Sequence, residues 1–450
     1  MINNKIAIVG SGITGLTAAI SLKKRGKEIH LFDRKPDPGG AMKTEVKGDW
    51  RYELGPNTLL LKDPEVEDLI DELNLSDRVV VANQQAAKRF IVKNGKLTEL
   101  PASLSGFLKT PLFSAGAKLR LLGEPLPGRS DKNATVAEFF ERRFGKEILD
   151  YAVNPFVAGI HAGRPEDLSL RHCFPSLFEM EQSSGSIVMG AIKKMVGNRN
   201  GRKTKRRLIS FQKGLSELPS AMVSRLDHTY MNHDVNRIFK KDSGWYLSTK
   251  SGEFGPYRDI ICTIPLHKWN KELLPVSDEK LERIENVNYP PLSMLILGYK
   301  KEQISHALDG FGFLVPEKEN RNILGALITS TLFNGRAPAG HHLLTVFIGG
   351  GRQPKLAGLN SDKLLAIAEK DLADLIGLSG EAVYKDHIYW PNSIPQYHRG
   401  YSSVVSVFEE IEERHPGLHL AGNFKGGISV PDCIKNGIAL AEKLANEKAI

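Results

Sequence analysis

The residues best suited to chemistry stand near the start of the chain. Gly10, Gly12 and Gly15 form a GxGxxG turn, and Asp33 follows eighteen residues after the last of them. That spacing lets a backbone approach a pyrophosphate: Gly10 makes the turn, Gly12 admits the phosphates, and Gly15 lets a helix pack on its sheet. The N-terminus of the helix that follows offers free N–H groups and the positive end of its dipole to the anion. Asp33 suits the two hydroxyls of an adenosine ribose. A second glycine pair, Gly39-Gly40, and a tight turn at Gly55-Pro56-Asn57-Thr58 favour FAD over NAD. No second fingerprint follows, because Gly349-Gly350-Gly351 lacks a further glycine at the right spacing. A flavoprotein with one nucleotide fold is expected to pass its electrons to dioxygen or a quinone. No Ser/His/Asp or Cys/His arrangement stands out. The three cysteines, Cys173, Cys262 and Cys433, are far apart and form no CxxC. This usage fits a reducing compartment and argues against a zinc site or a disulfide framework, so no metal is expected.

These residues need elements to hold them. Residues 5–10 (KIAIVG) read as a buried strand, 16–25 as a helix stopped at Gly26, and 28–33 (EIHLFD) as a second strand. This is the strand, turn, helix and strand context the fingerprint requires. Helices are expected over 68–79, over 135–151 with a Thr135/Glu138 capping box, and over Ser361–Ile376, capped by Ser361 and ended by Gly377. Residues 101–128 read as loops and short helices, and 230–265 as a β-meander. Four further strands are expected at 292–299, 311–315, 323–329 and 343–348. A last helix is expected from Asp432, its N-cap, to about Asn446, after the glycine-rich turn at 422–427. Its N-terminus would stabilise negative charge on a reduced flavin.

Composition bounds the answer. The chain has 450 residues with 41% hydrophobic and 25% charged side chains, which excludes disorder and collagen-like repeats. The net charge is +9, yet eight basic residues and no acids fall within residues 193–207, leaving +1 elsewhere. That concentration argues against nucleic acid as a partner. The run reads as a solvated loop, with docking on anionic lipid as a second reading. The uncharged stretch 6–22 imitates a signal peptide, but its glycines and the lack of a cleavage site argue against one. A cytoplasmic protein, soluble or surface-associated, is expected.

Three blocks go beyond a generic flavin fingerprint: PFVAGIHAG at 155–163 with Leu168-Ser169-Leu170, Cys173-Phe174-Pro175 and Glu181 behind it; GFGFLVP at 310–316; and Gly422-Asn423 through GISVPDCI at 427–434. In these the chain resembles the FAD-dependent protoporphyrinogen oxidases over nearly its whole length. The resemblance implies an α/β and α+β fold in three parts. A discontinuous Rossmann-like FAD-binding domain would take 1–85, 206–270 and 385–450. A mixed-sheet substrate domain would take 271–384 with part of 86–92. A mainly helical region, 93–205, would associate with membrane. The family removes six electrons from a porphyrinogen as three successive hydrides to FAD, with dioxygen as acceptor giving hydrogen peroxide. The resemblance assigns Arg89 to a substrate carboxylate, the carbonyl of Gly159 to a pyrrole N–H, and Leu314, Leu327 and Phe347 to a clamp on the macrocycle. Asn57 would lie at the reactive edge of the flavin. The expected cofactor contacts are Gly10, Gly12, Ile13, Thr14, Gly15, Asp33, Arg34, Gly39, Gly40, Gly55, Pro56, Asn57, Thr58, Val235, Trp390, Gly422, Asn423, Ile428, Ser429 and Val430. Ala41 and Met42 replace the basic residue that relatives place after the glycine pair, so Arg34 or Lys43 is expected to serve the phosphates. A homodimer and peripheral membrane contact are the partners the family suggests, besides porphyrinogen and dioxygen.

The nearest alternative substrate is coproporphyrinogen III, whose four propionates would need a more cationic pocket than one assigned arginine provides. More distant are an amine oxidase or carotenoid desaturase, and a flavin-free binding protein like the Rab GDP-dissociation inhibitors.

Overall fold

A computed structural model describes residues 4–124, 128–190, 193 and 204–446. The basic run expected at 193–207 therefore lies largely outside the described residues.

The N-terminal strand Lys5–Val9 is apolar and buried at four of its five positions, as befits a strand covered on both faces. It sits at the centre of a parallel sheet ordered His228–Tyr230, Glu28–Phe32, Lys5–Val9, Asp259–Cys262, Leu418–Leu420. Helices Ile13–Lys24 and Val430–Asn446 cross on one side of this sheet. Their approach depends on Gly437, where a Cβ would stand 2.7 Å from the Thr14 carbonyl oxygen. The expected meander is only its middle: Arg237–Lys241, Gly244–Thr249 and Gly252–Tyr257 form an antiparallel sheet, while the flanking strands join the parallel one.

The second sheet has seven strands, ordered Tyr384–Trp390, Leu292–Lys300, His341–Gly349, Ile323–Ile328, Gly310–Leu314, Lys88–Lys93, Lys96–Glu99. It is mixed, because Gly310–Leu314 runs parallel to Lys88–Lys93 whereas its other ladders are antiparallel. Side chains alternate between faces with period two. Leu295, Leu297, Phe313, Ala326, Ile328, Leu344, Val346 and Ile348 form one face and bury against Leu364, Ala368 and Leu372 of helix Ser361–Ile376. The other face carries Leu314, Leu327, Thr345 and Phe347. The sheet extends past the expected boundaries: Tyr384–Trp390 pairs along Leu292–Lys300 although 385–450 was assigned to the FAD side, and Lys96–Glu99 joins although 93–205 was expected to be helical. Conversely, Leu273, Leu281, Ile284 and Tyr289, from the segment assigned to substrate, pack in the core of the parallel sheet with Val235 and Trp245.

Several helices differ from expectation for local reasons. The helix expected at 68–79 is Pro64–Glu72: proline suits its first turn, and Asn74 at φ 58° ends it. The capping box of Thr135 and Glu138 is present, but Gly145 at φ 86° stops that helix at Phe144. A π-turn over Leu149–Val153 then leads into helix Asn154–His161. Asn360, not Ser361, caps helix Ser361–Ile376 by accepting the Lys363 N–H. Ser429, not Asp432, caps the last helix: its hydroxyl accepts the Asp432 N–H at 3.2 Å and donates to the Asp432 carboxylate at 2.5 Å.

The helical lobe is pinned by a buried ion network. Arg143 donates to Glu181 at 2.8 Å, to Glu124 at 2.7 Å and to the Gly185 carbonyl at 2.9 Å. Glu181 also accepts from the Ser130 N–H and hydroxyl.

Candidate active site

The fingerprint closes on itself. Gly10 adopts φ 109°, open to glycine but strained for other residues, and any Cβ there would collide with Thr263 Oγ1. The Ser11 N–H and hydroxyl both donate to one Asp33 oxygen at 2.6 Å, and the Lys35 N–H donates to the other at 2.8 Å. The second glycine pair meets the first turn as expected: the Gly39 N–H donates to the Ser11 carbonyl at 2.8 Å, and Gly12 bridges Gly39. Two observations show that a pyrophosphate fits. A Cβ on Gly12 would meet nothing within 4 Å, so open space lies before it, and helix Ile13–Lys24 begins without a side-chain cap. Its first N–H groups are therefore free for an anion. The cations expected to serve the phosphates lie near Lys35, and Lys43 pairs with Asp37 at 3.4 Å. Burial, then the charges of Lys43 and Arg34, push the Lys35 ammonium below its ordinary pKa. Met42 is buried in the core and so stands away from the phosphates.

Three further segments complete the cradle. The turn at 55–58 packs on Ala41, since a Cβ on Gly55 would collide with the Ala41 carbonyl. Asn57 donates to the Gly55 carbonyl at 3.1 Å and leaves its buried Oδ1 without a partner among the described residues. Trp390, from the edge of the second sheet, donates to the Leu54 carbonyl at 2.9 Å and fixes this turn from the opposite domain. Val235 is buried just beyond His233, whose N–H donates to the Asp33 carbonyl. The C-terminal turn holds Gly422, Asn423, Ile428, Ser429 and Val430 beside the fingerprint helix. Two tyrosines that sequence reasoning missed shape it. The Tyr397 hydroxyl donates to the Asn423 carbonyl at 2.7 Å and accepts the Gly427 N–H at 3.1 Å, and the Tyr401 hydroxyl donates to the Phe424 carbonyl. Burial raises both phenols well above their ordinary pKa, keeping them protonated donors. No periodicity marks a tyrosine that acts through its hydroxyl across 26 residues.

The cradle is tied to the second sheet by a buried pair. Arg336 donates to Glu53 at 2.8 Å and to the Ser210 hydroxyl at 2.7 Å, and Thr44 donates to the other Glu53 oxygen.

The open face of the second sheet brings the expected substrate residues together. Leu314 lies opposite Gly325, and Gly325 opposite Phe347, so the three form one row across three strands. Strand spacing puts the two side chains about 10 Å apart. Gly325, at φ 152°, is required by the close approach of the strands, since a Cβ there would collide with the Phe313 carbonyl oxygen; we term this row, with Leu327, the trough. Leu327 follows Gly325 on the same face, and Leu314, Leu327 and Phe347 are all half-buried where their strand neighbours are buried. Helix Asn154–His161 faces the row: a Cβ on Gly159 would stand 2.7 Å from Leu314 Cδ2. The Gly159 carbonyl, in the last turn, accepts no hydrogen bond from the described residues. Phe156 and Ile160 flank it and are 45% and 43% exposed. Gly350 and Gly351 seat the C-terminus of this helix, the Gly351 N–H donating to the Ala162 carbonyl at 2.7 Å.

Arg89 stands at the rim. Its guanidinium lies 5.1 Å above the Phe311 ring, and among the described residues no carboxylate pairs with it. Burial, then the charge of Arg206, lowers its pKa, although an arginine stays protonated. Phe311 and Leu327 pack with Leu332 and Phe333, which line a small recess with Asn57 and Arg336. A chain of packed side chains thus links the Asn57 turn to Phe311, over which Arg89 stands. His161 is buried, which pushes its imidazole down to about 4, and its backbone carbonyl accepts from Gln396.

The chain was compared with known proteins. The model of the flavin containing amine oxidoreductases matches residues 13–445. Protoporphyrinogen oxidase 2 of Arabidopsis thaliana is 34% identical, the alignment covering 97% of this chain and 93% of that one. The mitochondrial protoporphyrinogen oxidase of Nicotiana tabacum is 33% identical over 97% and 94%. The coproporphyrinogen III oxidase of Bacillus subtilis is 26% identical over 96% of each chain. In solved structures the fold recurs in a UDP-galactopyranose mutase, with a TM-score of 0.75 at 17% identity over 98% of this chain and 96% of that one. With a fingerprint shaped for FAD and near-complete alignment to such relatives, this chain belongs to the flavin-containing amine oxidoreductases, and within them to the FAD-dependent protoporphyrinogen oxidases.

Proposed function

We propose that the protein oxidises protoporphyrinogen IX to protoporphyrin IX, as a step of haem biosynthesis. The observation that carries this reading is the row of Leu314, Gly325 and Phe347 with Leu327, faced by Gly159, with Arg89 on the adjoining strand and no carboxylate paired with it among the described residues. A porphyrinogen is a broad apolar ring with carboxylates on its edge, and it needs an apolar clamp and a cation. Leu314 and Phe347 hold the macrocycle, and the open Gly159 carbonyl accepts a pyrrole N–H and sets its tilt. Arg89 binds a propionate, which also offsets the repulsion between Arg89 and Arg206. Asn57, from the turn that Trp390 secures, marks the end of the trough nearest the cradle. When bound, FAD supplies the two-electron acceptor, with dioxygen as the final oxidant and hydrogen peroxide as the product. The chain contributes orientation and exclusion of water, and the substrate's own nitrogens assist loss of hydride, so no strong base is required.

The test compares protoporphyrinogen IX with coproporphyrinogen III, following porphyrin fluorescence in air. A higher kcat/KM for protoporphyrinogen is expected; a preference for coproporphyrinogen would keep the flavin chemistry and overturn the substrate. Identity is higher to the protoporphyrinogen enzymes, and a wall with one rim cation in the trough suits two propionates better than four.

The cytoplasmic setting, membrane contact and homodimer belong to this proposal. No helix among the described residues is long and apolar enough to cross a membrane. Leu108 and Leu119, 61% and 66% exposed on the helical lobe, support contact with a bilayer surface. Liposome flotation of Leu108→Glu/Leu119→Glu tests it: loss of flotation is expected, and unchanged flotation would overturn it.

A further inference from the structure

Away from the cradle, one group of metal-ligating side chains converges among the described residues. Glu28 and His30 are two apart on strand Glu28–Phe32 and so share a face, and His228 lies directly opposite His30 in the parallel pair with His228–Tyr230. One carboxylate oxygen and one nitrogen from each imidazole lie within 4.8 Å of one another. His30 Nε2 is 3.1 Å from Glu28 Oε1, and the two rings are 4.7 Å apart. The Tyr257 hydroxyl engages the other nitrogen of His30 at 3.1 Å. This is the arrangement of a ligating histidine, whose second ring nitrogen is held by an outer partner that fixes its orientation.

We infer that Glu28, His30 and His228 form a binding site for one divalent transition cation of the zinc class. Two imidazoles and a carboxylate suit Zn²⁺, Co²⁺, Ni²⁺ or Cu²⁺ rather than Mg²⁺ or Ca²⁺. Glu28 and His228 are exposed, so rotating their side chains suffices to bring the donors to bonding distance, with water completing the shell. One group competes: the Lys5 ammonium is 3.3 Å from Glu28 and must swing aside. The site joins the edge strand of the parallel sheet to its neighbour, so an ion there would clamp that edge. It is separated from Asp33 by about 10 Å along the strand at His30 and about 16 Å at Glu28. The inference is independent of the substrate reading.

The experiment titrates Zn²⁺ into the full-length, FAD-loaded protein, reading binding by calorimetry and the thermal midpoint with and without metal. One equivalent bound and a raised midpoint are expected. His228→Ala and Glu28→Gln should lose that equivalent, Tyr257→Phe should bind about tenfold more weakly, and Lys5→Met should bind more tightly. Flavin absorbance checks that each variant is folded. Zn²⁺ bound equally by wild type and His228→Ala, or no binding by wild type, would overturn the inference.

Discussion

The cradle and the trough are built in opposite ways. In the cradle, function resides in the backbone: Gly10, Gly12 and Gly15 lie within six positions, and the absence of side chains makes room for phosphate. In the trough, function resides in side chains from strands far apart in the chain, and it depends on register. Leu314, Gly325 and Phe347 form a row only because two ladders pair at those positions, and a slip of one residue would turn each side chain to the other face. A local motif tolerates change elsewhere but no change of type; a register-dependent wall tolerates changes of type but no slip.

The sharpest way to break the cradle is Gly15→Leu, whose side chain would collide with the Gly10 carbonyl and the Thr263 side chain. It should yield protein without flavin absorbance. Gly12→Val makes the finer distinction: with open space before it, the variant should keep its thermal midpoint without ligand yet fail to take up FAD.

The junction comes next. Arg336→Met leaves Glu53 buried without its charge partner, 3% exposed in a site made for an ion pair. Breaking such a pair costs about 3–5 kcal/mol. Denaturant unfolding should show that loss, whereas a change under about 1 kcal/mol would mean the two regions hold together without the pair.

Arg89→Ala attacks the trough alone. Losing one charged hydrogen bond of about 1.5–3 kcal/mol should lower kcat/KM roughly 10- to 150-fold, chiefly through KM, with flavin content unchanged. Arg89→Lys should recover part of it, as a point charge without the planar fork.

The ion network that ties helix Val136–Phe144 to Glu124 and Glu181 should be sensitive to acid. Burial opposes ionisation of Glu124, but Ser186, the Ile187 N–H and Arg143 hold its carboxyl below the ordinary value. Against burial, Ser130, Arg143 and Arg142 do the same for Glu181. With folded pKa values depressed, their contribution is complete above the ordinary carboxyl range and fades as pH falls through the lowered values. The thermal midpoint should therefore drop below about pH 4, and Glu181→Gln should flatten that acid limb.

The smallest effect expected is that of Tyr397→Phe, which removes one hydroxyl from the C-terminal turn at about 1 kcal/mol. FAD should bind roughly fivefold more weakly, with little change in KM for the porphyrinogen.

Much of the cradle was legible because its information is local. The turn, the two strands and the acid occupy residues 5–33, and each follows from residue type and spacing. The four central strands of the second sheet were legible from their apolar runs. Its edges were not: Tyr384–Trp390 mixes charged and aromatic residues and becomes a strand by pairing with distant Leu292–Lys300, while Lys88–Lys93 and Lys96–Glu99 form a local hairpin about Asn94-Gly95 whose many charges mask the strand pattern. Local capping chemistry also misled by small offsets, since Ser361 beside Asn360 and Asp432 beside Ser429 are equally good caps in isolation. Tyr397, Arg336 and the Glu28–His30–His228 corner carried no sequence signal, because their partners lie tens to hundreds of positions away.

The sequence by itself determined the nucleotide fold and the class of chemistry, since a GxGxxG between strand and helix permits few backbone paths and those paths bind phosphate. It also carried the three blocks by which the chain resembles its family. The tertiary structure alone brings Leu314, Leu327 and Phe347 to one sheet face, with Gly159 against Leu314 and Arg89 on the adjoining strand. Cross-strand register and the docking of helix Asn154–His161 are long-range contacts, and their free energy comes from burial between segments that no local pattern connects.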